Sequence, residues 1–324
     1  MSFPKIILFD LDETIHFSEE MKAKAWTDIL RPFGYCWEEE NIDNLISVPK
    51  DKRPKSLGLS PNDFIATLVH NLGLSNMNVN LYGENLTPDE IKYRKNLSQL
   101  LSDGEKFEKM IKIMKSFWSS SLIDEAKRFV KEGRIKEVPG AVGAIMAAYK
   151  KGYKIGVVTQ APAEYAEIVL GSLGLLNTTL EDNFIDVIIS GDMVQNKKPH
   201  PESLILATEL IIIKTTIKEK EVELKKELTF KEKIGLGRSI HQEYFGPDKI
   251  VYPSPVAVVG DSEADIKAGH SYPGTDIKKI LINSRNLSSD EIQRIKPKPD
   301  FTINHFRRLL SKIERNIHHV EKRH

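Results

Sequence analysis

The stretch KIILFDLDETI, residues 5–15, carries the strongest structural signal in the chain. Its apolar run from Ile6 to Phe9 has no polar alternation, which is typical of a strand buried on both faces of a parallel sheet. Asp10 and Asp12 follow directly, at the carboxyl end of that strand, where open α/β sheets bind their ligands. A charged group without a partner costs free energy when it lies beside the hydrophobic core, so the two acids indicate a site for a cation or a substrate. Taken alone, the same residues would also suit a turn with a helix cap.

Four other short apolar runs have the same character and predict further buried strands. They are Ile155 to Val158, Val187 to Ile189, Val256 to Val259 and Ile280 to Ile282. Most of them are separated by stretches with apolar residues at three-to-four spacing, which is typical of crossover helices. Those stretches are Gly140 to Lys151, Ala163 to Leu173, Glu202 to Ile213 and Glu263 to His270. Strands that alternate with helices predict an α/β fold whose core is a Rossmann-like, doubly wound parallel sheet.

The long segment between the first two strands has the pattern of an inserted helical domain. Ser60-Pro61 and Thr87-Pro88 each place a capping hydroxyl before a proline at the first helical position. A long helical pattern follows from Glu105 to Lys131. We therefore predict an α-helical domain over residues 17–136, inserted into a core domain made of residues 1–16 and 137–324.

A second segment, about residues 214–255, is dense in Lys and Glu and predicts an exposed helical hairpin. It contains Gly235-Leu236-Gly237, a fragment of a glycine-rich nucleotide-binding pattern. No third glycine follows at the required spacing and no strand precedes the pair, which excludes a dinucleotide site there. The role of this segment is not apparent from its residues.

Composition limits the classes of partner. The formal net charge of +1, from 47 Lys and Arg against 46 Asp and Glu, creates no field that attracts nucleic acid or an anionic membrane. No run of 18 apolar residues occurs, so we expect no membrane-spanning helix. The single cysteine, Cys36, and a start without the pattern of a secretory signal favour a reducing, cytoplasmic location.

Polar groups also follow three of the other predicted strands. Thr159-Gln160 offers a hydroxyl and free backbone N–H groups at a strand-to-helix turn, which suits a phosphate. Lys198-Pro199 places a point charge just before a helix, and Gly260-Asp261-Ser262-Glu263-Ala264-Asp265 adds carboxylates after another strand. Carboxyl ends of parallel strands share one edge of a sheet, so these groups are expected to converge there.

These four motifs, in this order, closely resemble those of the haloacid dehalogenase superfamily: D-x-D-x-T, a strand ending in Thr or Ser, Lys before Pro, and G-D-S-x-x-D. The resemblance covers residues 5 to 16 and about 138 to 310. It implies a hydrolase of the phosphatase branch, with the inserted helical domain as a cap of the family's first type, C1.

The resemblance also implies roles for the two leading acids. Asp10 would be the nucleophile that attacks phosphorus and forms a phosphoaspartyl intermediate. Asp12 would be the general acid and base, protonating the leaving alcohol and then activating water. The side chains of Asp10 and Asp261 and the backbone carbonyl of Asp12 would bind one Mg²⁺, whose preferred ligands are hard oxygens.

Three further residues would bind the transferring phosphate. Thr159 and Gln160 would meet its oxygens, and Lys198 would neutralise both the phosphoryl group and Asp10. Asp265 would support Lys198 or the metal's waters. The expected substrate is a small organic phosphomonoester, with phosphoglycolate, a sugar phosphate and a nucleoside monophosphate all open. The oligomeric state is open as well.

The same family includes enzymes with reactions other than phosphomonoester hydrolysis. An acid at Asp12 disfavours a dehalogenase and a phosphonate hydrolase, and Lys50, Lys52 and Lys55 have the pattern of a solvated loop rather than of a Schiff-base site. A β-phosphoglucomutase-type enzyme is suggested by Lys24-Ala25-Trp26, but Lys22 stands where those mutases have histidine.

Two non-enzymatic hypotheses also fit part of the pattern. A non-catalytic binding protein with the same fold is disfavoured because all the motif acids are present. A response-regulator-like phosphoacceptor would have neither an inserted cap nor an acid placed as Asp12 is.

The sequence departs from the family pattern at Glu13, a position where many members have glycine. This difference affects the expected conformation of the turn and the expected movement of the cap.

Overall fold

The computed structural model describes residues 4–37, 46–48, 61–74, 77, 79, 86–102, 107–176, 183–246 and 253–321. The chain divides into two compact units. One consists of Met1–Phe17 together with Lys136–His324, and the other of Ser18–Ile135. Each is described separately below.

Six parallel strands form the sheet of the first unit, in the order β5-β4-β1-β6-β7-β8. The strands are β1 (Ile6–Phe9), β4 (Lys154–Val158), β5 (Val187–Ile189), β6 (Ala257–Gly260), β7 (Lys278–Ile282) and β8 (Phe301–Ile303). β1 lies in the middle and pairs with β4 on one side and β6 on the other. The predicted α/β fold with a doubly wound parallel sheet is therefore confirmed.

Helices cover both faces of this sheet. They are α5 (Ala141–Lys150), α6 (Ala163–Ser172), α7 (Glu202–Leu224), α8 (Phe230–Ile240), α9 (Glu263–His270), α10 (Ser289–Arg294) and α11 (Leu309–Glu321). Ile6 and Leu8 pack into a core cluster with residues of α7 and α9. Phe9 points to the opposite face, where its ring lies 6.4 Å from that of Phe306. Alternate residues of β1 thus enter different layers, which explains its unbroken apolar run.

The second unit is built from helices α1 (Glu19–Leu30), α2 (Pro61–Leu72), α3 (Pro88–Ser102) and α4 (Phe107–Lys131). α4 packs against each of the other three. Trp26 of α1 stacks on Phe64 of α2 and Trp118 of α4, with ring centroids 4.3 and 4.9 Å apart. The predicted cap at Thr87 is confirmed, since its hydroxyl accepts a hydrogen bond from the N–H of Glu90 at 3.2 Å. The predicted cap Ser60 and the predicted start at Glu105 lie outside the described residues.

The structure corrects three details of the strand and helix predictions. A sixth strand, β8, closes one edge of the sheet; its middle residue, Thr302, is polar and exposed, so the strand has no continuous apolar run. Two parallel two-residue strands, β2 (Tyr35–Cys36) and β3 (Ile46–Ser47), lie in the helical unit, where none was predicted. α7 ends at Leu224 rather than at Ile213, because Lys and Glu continue the helix beyond its apolar face.

Helices occupy most of the charged segment that follows Ile213. α7 packs against α8, whose first turn has a capping box between Thr229 and Glu232. Gly235 and Gly237 lie inside α8, so they form no phosphate-binding loop. No helix in the described ranges has both the length and the apolar character needed to cross a membrane.

Candidate active site

The predicted site residues lie at one edge of the sheet because three neighbouring strands end there. Asp10 follows β1, Thr159 follows β4 and Asp261 follows β6. Backbone hydrogen bonds extend the strand pairing to two of these residues: Asp10 donates to Val259 at 2.8 Å, and Thr159 donates to Ile189 at 2.8 Å. Their positions are therefore fixed by the sheet itself.

Lys198 connects two of the acids. Its Nζ donates to Asp10 Oδ1, to Asp265 Oδ1 at 2.7 Å and to the carbonyl of Val158 at 3.0 Å. An ammonium has three donors, so these contacts use its full capacity. Burial opposes the charge on Lys198, but Asp10 and Asp265 outweigh it and hold the pKa of the lysine above its ordinary value. Lys198 is thus a fixed cation in the centre of the site.

Carboxylates crowd around this lysine. Asp10, Asp261 and Asp265 each present an oxygen within 4.8 Å of the others. Burial raises the pKa of Asp10 well above its ordinary value, against the opposing effect of Lys198. Burial likewise raises the pKa of Asp261 to about 6, although the nearby Arg285 counteracts it. Oxygen ligands with this much mutual repulsion fit a hard divalent cation such as Mg²⁺.

Asp265 is held on both of its oxygens. Oδ1 accepts from Lys198, and Oδ2 accepts from the backbone N–H of Ser262 at 3.2 Å and from its hydroxyl at 2.5 Å. The Ser262 hydroxyl in turn accepts from the Asp265 N–H, which completes the capping box of α9. Of the two roles predicted for Asp265, this geometry favours the support of Lys198.

Asp261 has two side-chain partners that were not predicted from the sequence. Arg285 Nε donates to its Oδ2 at 2.5 Å, and Thr14 Oγ1 donates to its Oδ1 at 3.4 Å. Arg285 follows β7, so a fifth strand also contributes a residue to the site. Arg285 could have been predicted in the same way as the other polar groups, from its position after a strand. Thr14 is the threonine of the D-x-D-x-T motif.

Asp12 faces different partners. Its Oδ1 accepts from the hydroxyl of Tyr165 at 2.9 Å and lies 3.1 Å from Nε2 of His16. Its side chain is 13% exposed, whereas that of His16 is fully buried. The carboxylate of Asp12 is not one of the three that could share a cation, which leaves its backbone carbonyl as the predicted ligand. Nothing in the local sequence signals that His16 and Tyr165 meet this acid.

Thr159 and Gln160 lie where the sequence predicts, at the turn after β4. The Thr159 hydroxyl accepts a hydrogen bond from the N–H of Ala161 at 3.0 Å. Gln160 Nε2 donates to the carbonyl of Lys198 at 3.4 Å, so this side chain also supports the lysine's loop. A binding role toward phosphate stays a prediction for both residues.

Glu13 has the backbone conformation that explains why glycine is common at this position. Its φ is 57°, in the left-handed region that costs a residue with a side chain. The turn is held by a hydrogen bond from the Glu13 N–H to the carbonyl of His16 at 2.8 Å, while the Ser284 hydroxyl donates to the Glu13 carbonyl. The turn therefore forms with glutamate in place.

The mutase-like stretch Lys24-Ala25-Trp26 lies in α1 of the helical unit. Ala25 is fully buried and Trp26 is 7% exposed, so both pack inside that unit. Lys50, Lys52 and Lys55 lie outside the described residues.

Comparison with known proteins identifies related sequences and folds. Residues 4–216 match the family described as haloacid dehalogenase-like hydrolases. A segment of 72 residues, 22% of the chain, is 38% identical to phosphoglycolate phosphatase from Escherichia coli K12. That match spans 25% of the length of this curated relative.

Two solved structures are similar in fold over most of the chain. A hydrolase from Pseudomonas syringae superposes with a TM-score of 0.53 at 17% identity, covering 96% of this chain and 98% of the other. A phosphonoacetaldehyde hydrolase-like protein from Oleispira antarctica superposes with a TM-score of 0.56 at 12% identity, covering 97% and 92%. At such identities the similarity concerns the fold alone.

Proposed function

Because the chain belongs to the haloacid dehalogenase-like hydrolase family, we propose that it is a Mg²⁺-dependent phosphatase that hydrolyses a small organic phosphomonoester. The observation that carries this proposal is the buried contact of Lys198 with both Asp10 and Asp265. A carboxylate next to a fixed cation can meet an anionic phosphoryl group that would otherwise repel it.

The proposed reaction has two steps, each of which moves one proton. In the first, an Asp10 oxygen bonds to phosphorus, the bond from phosphorus to the ester oxygen breaks, and Asp12 gives its proton to the leaving alcohol. In the second, Asp12 takes a proton from water as that water attacks phosphorus. The bond from phosphorus to Asp10 breaks, inorganic phosphate leaves and both aspartates return to their starting states.

The side chains of Asp10 and Asp261 and the carbonyl of Asp12 would hold the Mg²⁺. When bound, the ion supplies positive charge that offsets both the clustered carboxylates and the substrate's phosphate. Lys198 contributes a second, permanent charge, and Thr159 and Gln160 would bind phosphate oxygens at the turn after β4. Asp265 holds Lys198 in place through its Oδ1.

Phosphoglycolate is the first ester to test, because the 38% identical segment belongs to a phosphoglycolate phosphatase. Sugar phosphates and nucleoside monophosphates complete the panel. We assign the choice among them to the helical unit as a cap domain, since caps in such folds close over the leaving group and exclude water.

The direct experiment measures phosphate release from this panel by the purified protein with Mg²⁺ and with EDTA. Release should require Mg²⁺, disappear in Asp10→Asn and fall by about 10²–10⁴-fold in Asp12→Asn. No release from any ester by the metal-loaded wild type would instead favour a phosphosugar mutase or a non-catalytic protein with this fold.

A further inference from the structure

The carboxylate of Asp12 lies in a partly buried three-residue cluster with His16 and Tyr165. The Tyr165 hydroxyl donates a hydrogen bond to Asp12 Oδ1 at 2.9 Å, and His16 Nε2 lies 3.1 Å from the same oxygen. The tyrosine oxygen and His16 Nε2 are 3.0 Å apart, which closes a triangle of polar atoms. Both His16 and Tyr165 are 0% exposed.

The cluster joins two rigid parts of the first unit. His16 ends the turn after β1, where its N–H donates to Leu11 at 3.2 Å and its carbonyl accepts from Glu13 at 2.8 Å. Tyr165 lies in the first turn of α6, just after the predicted phosphate-binding turn. The turn and the helix thus bring the two side chains together from separate elements of the unit.

The proton positions follow from the partners. His16 Nδ1 is buried and has no hydrogen-bond partner among the described residues, whereas Nε2 faces an acceptor carboxylate. A proton on Nε2 therefore satisfies this contact. Two donors then converge on one oxygen of Asp12, which fixes the rotation of the whole carboxyl group.

We propose that His16 and Tyr165 are positioning residues that hold Asp12 for proton transfer, an inference that rests on the proposed phosphatase function. A carboxyl group transfers a proton efficiently only when its oxygen is within hydrogen-bond reach of the leaving group. A carboxylate with a fixed rotamer meets this condition without a search at each turnover. Asp12 touches the reacting atoms in this scheme; His16 and Tyr165 act through it.

A purely structural role would mean that the two side chains contribute only to packing and stability. The two roles differ in how the loss of activity depends on the ester. Proton donation matters most when the leaving alcohol is a poor leaving group, as in an alkyl phosphate, and least for p-nitrophenyl phosphate. A loss of folded protein would lower activity toward every ester by the same factor.

The test compares kcat/KM for a series of aryl and alkyl phosphates, because this parameter covers the steps through departure of the alcohol. The variants are Tyr165→Phe, His16→Leu and His16→Gln, the last of which keeps an N–H donor. Tyr272→Phe is the matched control: Tyr272 is 4% exposed and its hydroxyl donates to the Pro253 carbonyl instead of to Asp12.

In Tyr165→Phe we expect kcat/KM to fall by about tenfold or more for alkyl phosphates and by no more than about threefold for p-nitrophenyl phosphate. His16→Leu should behave similarly, and His16→Gln should recover part of the loss. Tyr272→Phe should leave the dependence on leaving group unchanged.

An equal loss for all esters in Tyr165→Phe, or no loss, would overturn the inference while leaving the phosphatase activity of the wild type intact. If the wild type releases phosphate from no ester, the proposed function fails first, and the inference falls with it. Tyr165→Phe removes a single oxygen atom, so the comparison does not depend on whether His16→Leu folds.

Discussion

Gly260 is the residue at which packing and chemistry are most tightly linked. A Cβ placed there would overlap the Cβ, Cγ and Oδ2 atoms of Asp265. That carboxylate holds Lys198 through its other oxygen, and Lys198 holds Asp10. Only glycine allows the chain of contacts from β6 through Asp265 and Lys198 to Asp10 to form as observed.

Gly260→Ala should therefore displace Asp265 and weaken its hold on Lys198. We expect a loss of about 1–3 kcal/mol in the free energy of unfolding from overpacking, together with a fall of at least about tenfold in kcat. Gly143→Ala on α5 is the control, because nothing lies within 4 Å of an added Cβ and alanine favours a helix. Comparable activity in the two variants would contradict this role of Gly260.

Asp28 in the helical unit is a partly buried acid, and its environment predicts a dependence of stability on pH. Burial raises the pKa of its carboxyl from 3.8 to about 6, although the hydrogen bond from Ser121 opposes the shift. The raised pKa means that the folded state keeps this proton longer than the unfolded state does. The stabilising contribution is complete below pH 4 and is lost as pH rises through about 6.

Relative to Asp28→Asn, the wild type should lose up to about 3 kcal/mol of unfolding free energy between pH 4 and pH 7. Urea unfolding of both proteins across this range measures the difference. Asp124→Asn, an exposed acid on α4, should show no such trend. A constant difference between wild type and Asp28→Asn would rule out the raised pKa.

At the scale of elements, three helices of the first unit begin with the same device and differ in what it supports. α8, α9 and α10 each have a capping box, made by Thr229 and Glu232, Ser262 and Asp265, and Ser288 and Glu291. Only the acid of the α9 box also contacts Lys198. The cap of α9 thus fixes a site residue as well as a helix end.

Ser262→Ala and Ser288→Ala separate these two roles. Each should cost about 1 kcal/mol of stability through the lost cap. Ser262→Ala should also lower kcat by about tenfold, because Asp265 loses the hydroxyl that fixes its Oδ2, whereas Ser288→Ala should leave kcat within about twofold of wild type. Thermal unfolding and phosphate release measure the two effects, and equal activity in both variants would contradict the assignment.

The elements differ in how well the sequence predicts them. β1, β4, β5, β6 and β7 are predictable because each contains a run of consecutive nonpolar residues, which is typical of strands in a parallel sheet. Asp10 and Asp261 are predictable as site residues as well, because a charged group directly after a buried strand is unusual. β8 was not predicted because its middle residue, Thr302, is polar and exposed and interrupts the apolar run. The boundary of α7 was predicted at Ile213, because its last turns are exposed and carry no apolar face; the charged segment after Ile213 was predicted to be helical, but as a separate element.

The contact between His16 and Tyr165 lies beyond local pattern altogether. The two residues are 149 positions apart in sequence and meet only because β4 pairs with β1. Arg285 is intermediate, since its place after β7 follows the strand-end rule but its partner Asp261 does not. The strand-end rule predicts which residues gather at the site, whereas the individual contacts between them become visible only in three dimensions.

In the molecule as a whole, positive and negative charges nearly balance, whereas the candidate site is rich in carboxylates. The formal charge is +1, yet the carboxylates of the partly buried Asp10 and the buried Asp261 and Asp265 meet beside Lys198 at one sheet edge. The family match ends at residue 216, before Asp261 and Asp265. The structure brings these two acids to the residues of the matched segment, so the complete candidate site extends beyond it.

The central claim is that Asp10 carries the phosphoryl group between the two steps of hydrolysis. The most direct measurement is borohydride trapping during turnover with Mg²⁺ and the best ester of the panel, followed by mass spectrometry of the peptides. Borohydride reduces an aspartyl phosphate to homoserine, which marks the residue that was phosphorylated. We predict homoserine at position 10 when substrate and Mg²⁺ are both present, and unmodified Asp10 when either is omitted. Phosphate release with an unmodified Asp10, or homoserine at another aspartate, would contradict the proposed mechanism.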